Sequence, residues 1–319
     1  MNGAIVVVSK CPTKGKSKTR LISLLGEEGS VDLAKAMLSD VLLTLHGCTE
    51  LQSVLKILLY APGTTEGFHG MTRILDELQI DWNHYDDQQK CHPPKMSSWL
   101  LLAIEARVDL QSSNLGDLLE HALNRVRGYL QRTNNNSEKN AAPVIFLGMD
   151  SPILPLDDIA KALGLAHGNR GCNEASNQDN VEEEEDGTMR RAALLCPASD
   201  GGYGMLSVPG HADAAKTFQQ ILWSHPLTAI AQTKALSDQG IPVRIGTLME
   251  DIDEPQDVEN LCQRLQQDDS QGHVTVTNSI LDRPCDFSSS SEIRMKRIQS
   301  SHPSLLYTRQ ALKRAGLLS

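Results

Sequence analysis

A chain of 319 residues with 40% hydrophobic and 22% charged content has room for one large or two modest domains around a globular core. No apolar run approaches the length of a bilayer span, so a membrane-spanning class is excluded. The net charge of −10 is concentrated: Asp179, Glu182, Glu183, Glu184, Glu185 and Asp186 carry six of those charges, and the remainder carries −4. Nucleic acid is therefore not an expected partner.

The first element is the run Ala4-Ile-Val-Val-Val-Ser9, continuous and apolar as a buried parallel strand must be. The next segment, Lys10-Cys-Pro-Thr-Lys-Gly-Lys-Ser-Lys-Thr-Arg20, inverts the charge of the chain around one Pro and one Gly. A basic turn at the carboxyl end of a strand stands where open α/β sheets bind ligands, and the ligand that matches it is a di- or triphosphate. A Walker A loop it is not. Gly15-Lys16-Ser17 supplies the second half of that motif, but Lys10 occupies the place of its first glycine. A solvated basic turn is the alternative.

A helix begins near Ser30, a candidate N-cap, with apolar positions at Val31, Ala34, Met37, Leu38, Val41, Leu42 and Leu45. A second strand spans about 54–60, a short helix 71–78 and a strand 80–85. The polar stretch 86–98, with Pro93-Pro94, reads as an irregular excursion. Helix is expected over 115–130, a mobile loop over 133–140, strand over 143–147 and helix over 156–166. The segment 167–188 holds the acidic run and is expected to be disordered. Strands follow at 192–196, 204–208 and 243–248, with helices at 211–223, 227–239 and 256–265. The alternation predicts an α/β three-layer sandwich with a mostly parallel central sheet over 1–265. Residues 266–319 read as a loosely attached, partly disordered extension, with a short basic helix at 307–318.

Seven cysteines, at 11, 48, 91, 172, 196, 262 and 285, include no C-x-x-C pair. An odd count without ligand spacing points to free thiols in a reducing compartment. A strand starting near residue 4 leaves no room for a leader, so the cytosol is the expected location.

Three acidic or glycine-rich motifs each follow a strand. Asp150 ends a buried strand, and Ser151-Pro152 turns the chain there, which aims the carboxylate at the crevice beyond the sheet. An Asx-turn or a helix cap is the competing role. Asp251 and Asp253 lie two apart, on one side of an extended segment. Oxygen-only ligands of this kind suit Mg²⁺ or Mn²⁺, while Asp253-Glu254-Pro255 also reads as a helix cap. Asp200-Gly201-Gly202-Tyr203 lets a backbone approach a ligand and offers two N–H groups to it, or is an ordinary turn. His225 beside Pro226 reads as structural, and His46, His84 and His92 lack ligand spacing.

In order, Lys10-x-Pro-x-x-Gly-x-x-Lys-Thr-Arg-Leu21, Gly148-x-Asp-Ser-Pro152, Pro197-x-x-Asp-Gly-Gly-Tyr203, Trp223-Ser224 and Asp251-x-Asp-x-Pro-x-Asp257 resemble the glycosyltransferase-A-like "transferase 1, radical-SAM/selenodomain-associated" family. That family is similar to the 2-phospho-L-lactate and molybdenum-cofactor guanylyltransferases, and the resemblance covers roughly residues 3 to 265. It implies a nucleotide-diphospho-sugar transferase fold. Lys10, Pro12, Gly15, Lys18, Arg20, Gly201, Gly202 and Tyr203 would bind the nucleotide, and Asp150, Asp251 and Asp253 the metal. Gln111-Ser-Ser-Asn-Leu-Gly-Asp117 is only similar to the family's Gln-x-x-Gly-Asp-Leu-Gly stretch, and the insert at 167–188 departs from it.

The expected activity is metal-dependent transfer of a nucleoside monophosphate from a triphosphate to a phosphorylated small-molecule acceptor. Lys18, Arg20, Asp150 and Asp200 are the residues expected in catalysis. A glycosyltransferase using a nucleotide sugar is the alternative, and a non-catalytic nucleotide-binding protein is the rival from another class.

Overall fold

The computed structural model describes residues 3–85, 98–104, 114–134, 142–165, 191–270 and 305–318. Strand β1 (Ala4–Lys10) runs near the middle of an eight-stranded sheet. Its side chains are buried on both faces, Ile5 and Val7 on one and Ala4 and Val6 on the other, because helices cover both. The other strands are β2 (Leu55–Ala61), β3 (Trp82–His84), β4 (Trp99–Ala103), β5 (Val144–Gly148), β6 (Ala193–Pro197), β7 (Tyr203–Val208) and β8 (Val243–Ile245). Their order across the sheet is β3-β4-β2-β1-β5-β7-β6-β8. Among the described residues only β7 runs antiparallel to its neighbours, β5 and β6, and every other pairing is parallel.

Helices α1 (Ile22–Gly47), α2 (Thr65–Glu77) and α4 (Leu156–Ala162) pack on the face of Ile5 and Val7. On the opposite face lie α3 (Leu115–Asn134), α5 (Ala214–Phe218) and α6 (Thr228–Ser237). The result is the three-layer α/β sandwich that the alternating pattern predicts.

A third cluster joins the outer side of α1, through Leu33, Ala36 and Met37, to α7 (Pro255–Ser270) and α8 (Leu306–Arg314). The loose attachment expected for the chain end does not hold for residues 305–318. Leu305 and Leu312 are buried, and the carboxylate of Asp40 on α1 accepts the N–H groups of Tyr307 and Thr308 at 3.1 and 2.8 Å. These are orphan donors of the first turn of α8, so Asp40 caps a helix from across the fold.

Three further expectations are corrected. Strand β4 lies where no element is expected, directly after the polar stretch; Trp-Leu-Leu-Leu-Ala is a short apolar run of the kind periodicity cannot assign. The helix expected over 211–223 is confined to Ala214–Phe218, because Gln220 and Ser224 adopt left-handed φ values of 63° and 57°. Ser30 is not a cap: α1 begins at Ile22, kinks at Gly26 (φ 70°), and Ser30 Oγ donates to the Gly26 carbonyl at 2.8 Å. The acidic insert at 167–188 and the polar stretch 271–291 lie outside the described residues, as does most of 86–98 and of 133–140.

Candidate nucleotide and metal site

Strands β1, β5 and β6 are parallel to one another, so their carboxyl ends share one edge of the sheet. The basic turn follows β1, Asp150 follows β5, and the Asp200 turn links β6 to β7 at that same edge. After β8 the chain runs back along it. Met249 N–H donates to the Pro197 carbonyl at 2.8 Å, and Ile252 N–H to the Asp150 carbonyl at 3.0 Å. These two bonds stitch the Asp251–Asp253 segment to the ends of β6 and β5, and so bring together acidic motifs one hundred residues apart.

Lys18 is the hub. Its side chain is only 5% exposed, and its ammonium lies 2.5 Å from Asp150 and 2.7 Å from Asp253. Its backbone is left-handed, at φ 46° and ψ 48°, a conformation that costs a non-glycine residue of order 1–3 kcal/mol and that concentrates at functional sites. Burial opposes the charge, but Asp150 and Asp253 outweigh it and hold the Lys18 pKa above its ordinary value. Their side chains remain 44% and 48% exposed, so the carboxylates still face solvent.

Asp251 accepts a hydrogen bond from the Ser151 hydroxyl. Burial, aided by the charges of Asp150, Asp200 and Asp253 and opposed by the Ser151 bond, pushes its carboxyl up to about 6. Asp251 therefore feels three other carboxylates here, of which Lys18 pairs with two. The cap expected of Asp253 falls to Asp257, whose carboxylate accepts the N–H groups of Asp253 and Glu254 at 3.0 and 2.7 Å. Asp253 is thereby left to Lys18. The sequence signal for this is an Asp two positions past the Pro255 that opens α7.

The remaining residues of the basic turn face outward. Lys10 is exposed and Pro12 half-buried, and Gly15 turns the chain at φ 71°. Lys14 pairs with Glu28 of α1 at 2.9 Å, and Arg20 with Glu254 at 3.1 Å, both on the surface. Arg20 thus joins the acidic segment at its rim, while Lys18 joins it at its centre.

The glycine turn departs from its expected role. Gly201 N–H donates to the Ala198 carbonyl at 3.2 Å, and Gly202 N–H to Asp200 Oδ1 at 2.8 Å. Neither is turned toward a ligand, because the turn satisfies its own donors as an Asx-type turn does. What requires glycine is space: at φ 87°, a Cβ on Gly201 would lie 2.0 Å from the Pro226 carbonyl oxygen. Tyr203 also turns inward. Its hydroxyl donates to Gln232 at 3.0 Å, its ring lies 6.5 Å from Trp223, and burial raises its pKa. His225 Nδ1 accepts the Leu227 N–H at 3.1 Å, which matches its structural reading.

A divalent cation is testable against this donor set. Asp150, Asp251 and Asp253 offer oxygen alone, the chemistry Mg²⁺ and Mn²⁺ require. Yet among the described residues no three His, Cys, Asp or Glu side chains stand arranged to hold a metal ion. In this conformation the Lys18 ammonium stands between Asp150 and Asp253, and Ser151 engages Asp251. The donor set fits in its chemistry, with a lysine in the gap.

A family model described as "Uncharacterized protein conserved in bacteria (DUF2064)" matches residues 85–225, less than half of the chain but including Asp150, the Asp200 turn and Trp223. No curated protein matches. Among solved structures, a candidate nucleotide-diphospho-sugar transferase from Desulfovibrio desulfuricans G20 is similar over 98% of this chain and 97% of its own, at 18% identity and a TM-score of 0.56. At that identity the likeness is one of fold: the two chains share a three-layer α/β architecture. A mannosyltransferase from Pyrobaculum calidifontis, in complex with GDP-Man and Mn²⁺, aligns over 99% of this chain and 73% of its own, at 9% identity and a TM-score of 0.33, too low to carry an argument. Among the described residues no helix is long and apolar enough to cross a membrane.

Proposed function

We propose that this chain is a metal-dependent nucleotidyltransferase of the radical-SAM/selenodomain-associated transferase type. It would transfer a nucleoside monophosphate from a triphosphate to a phosphorylated small molecule. The observation that carries the reading is the buried Lys18 ammonium held between Asp150 and Asp253, with Asp251 tied to Ser151 beside them, at the carboxyl edge of the sheet.

A phosphate oxygen of the acceptor attacks the α-phosphorus, the new P–O bond forms, and the bond to the β-phosphate breaks to release pyrophosphate. The nucleophile is already an anion, so no strong base is needed. Lys18, and Arg20 at the rim, neutralise charge on the β- and γ-phosphates. A divalent cation held by Asp150, Asp251 and Asp253 would supply charge stabilisation at the α-phosphate. Asp200, at the same edge of the sheet, would act beside this set, with one oxygen fixed by Gly202 N–H.

One observation favours a second reading, glycosyl transfer from a nucleotide sugar. A hydroxyl acceptor needs a base, and Asp200, exposed at the same edge of the sheet with one oxygen held by the Gly202 N–H, is a carboxylate outside the proposed metal ligands that suits that role. Incubation with a panel of nucleoside triphosphates and nucleotide sugars, with Mg²⁺ or Mn²⁺, decides the matter. Pyrophosphate release supports nucleotidyl transfer. Release of nucleoside diphosphate from a nucleotide sugar supports glycosyl transfer. Binding without turnover of either would leave a nucleotide-binding protein without catalysis.

A further inference from the structure

We propose that Lys18 is a resident cation of this site: it competes with the divalent ion for Asp150 and Asp253, and its displacement couples metal binding to nucleotide binding. The inference rests on the metal-dependent reading above. Three observations carry it. The ammonium contacts both carboxylates, at 2.5 and 2.7 Å, and these are two of the three groups that would hold the metal. The side chain is 5% exposed although it belongs to a surface turn, and it gets there through a left-handed backbone at its own position. Finally, Asp251 is tied to Ser151, next to Asp150, and Ile252 N–H to the Asp150 carbonyl, so a third carboxylate adjoins the pair that the single ammonium serves.

A monovalent ammonium and a divalent ion cannot occupy one gap together, since like charges a few ångströms apart repel strongly in a partly buried site. Without nucleotide, Lys18 neutralises the carboxylates and weakens metal binding. When a triphosphate arrives, its anionic oxygens offer Lys18 an alternative partner within reach of the same turn. The carboxylates then pass to the metal, and each ligand favours the other by the same factor. Lys18 would thus serve the acids in the free protein and the phosphates in the complex.

The test titrates Mn²⁺ alone into nucleotide-free protein and follows free Mn²⁺ by electron paramagnetic resonance. Lys18→Met should bind Mn²⁺ at least about tenfold tighter than the wild type, which removal of one competing charge readily supplies. Lys18→Arg, which keeps the charge, should stay as weak as the wild type. A second measurement needs no variant: acetylation of Lys18 by an amine-reactive ester, read by peptide mass spectrometry, should rise several-fold when Mn²⁺ saturates the wild-type protein. Equal Mn²⁺ affinity in Lys18→Met and wild type overturns the proposal. So does tight binding by Lys18→Arg, or acetylation indifferent to bound Mn²⁺. Absence of Mn²⁺ binding from every form, with or without a triphosphate, would instead remove the metal-dependent reading and this inference with it.

Discussion

Lys18 and Arg20 stand two residues apart in one basic turn, yet their surroundings separate their roles. Arg20 pairs with Glu254 on the surface, where an ion pair contributes about 0–1 kcal/mol. Arg20→Ala should therefore leave the unfolding free energy within about 0.5 kcal/mol of wild type. Lys18→Ala removes a buried ammonium and leaves Asp150 and Asp253 facing each other, so it should also lower stability, contrary to what a solvated turn would imply. Both changes should weaken triphosphate binding more than monophosphate binding. Loss of a desolvated charge-assisted contact costs about 2–4 kcal/mol in the transition state, or roughly 30- to 1000-fold in turnover. Isothermal titration with tri-, di- and monophosphates checks this; equal losses for all three would assign both residues to folding.

At the scale of elements, two contacts decide how the edges of the sandwich are held. Gly201 lies under the Pro226 carbonyl with a left-handed backbone, and the Ala229 N–H donates to the Gly201 carbonyl at 3.0 Å. Gly201→Ala forces the β6–β7 turn away from α6 and should destabilise by more than about 1 kcal/mol, because both the backbone conformation and the space are wrong for a Cβ. A denaturant midpoint equal to wild type would show that the turn yields freely. The second contact is Asp40 at the start of α8. Burial pushes its carboxyl up to about 6, with the Thr308 and Tyr307 N–H groups pulling it partly back. Its folded pKa lies above the unfolded one. Its contribution is therefore fully present below about pH 4 and lost as pH rises through 6, by roughly 3 kcal/mol at most. Relative to Asp40→Asn, the wild type should lose stability between pH 4 and 7 and level off above. Urea melts of the two proteins that run parallel across this range would contradict the buried, titrating carboxylate.

For the molecule as a whole, the site sits on three segments that meet only in the folded state, so ligand binding must report on global stability. Triphosphate with Mn²⁺ at about one hundred times its dissociation constant should add about 2.7 kcal/mol, a rise of several degrees in melting temperature. Either ligand alone should add far less. Asp150→Asn should abolish the joint effect while melting close to wild type, since Asp150 is half-exposed and outside the apolar clusters. An unchanged joint shift in Asp150→Asn would remove that residue from the metal site.

The apolar run of β1, the alternation of strands and helices, and the placing of acidic and basic residues just after strand ends are all written in local sequence. Periodicity and turn chemistry act over a few residues, and these features need nothing more. The α/β sandwich and the candidate site residues Lys18, Asp150, Asp251 and Asp253 were legible for that reason. Other features depend on partners distant in the chain. The strand character of Trp99–Ala103 comes from pairing with β2 and β3. The docking of α8 comes from the apolar outer face of α1 and from Asp40, 267 residues before Tyr307. The inward turn of Tyr203 comes from Gln232. Above all, a lysine that reads locally as a phosphate ligand is held by Asp150, which the pairing of β5 with β1 brings to it, and by Asp253, which the closure of the β8-to-α7 segment onto the ends of β5 and β6 brings to it. Local sequence determined which charges would stand at the edge of the sheet; tertiary structure decided which of them neutralise one another, because electrostatic pairing depends on distance in space.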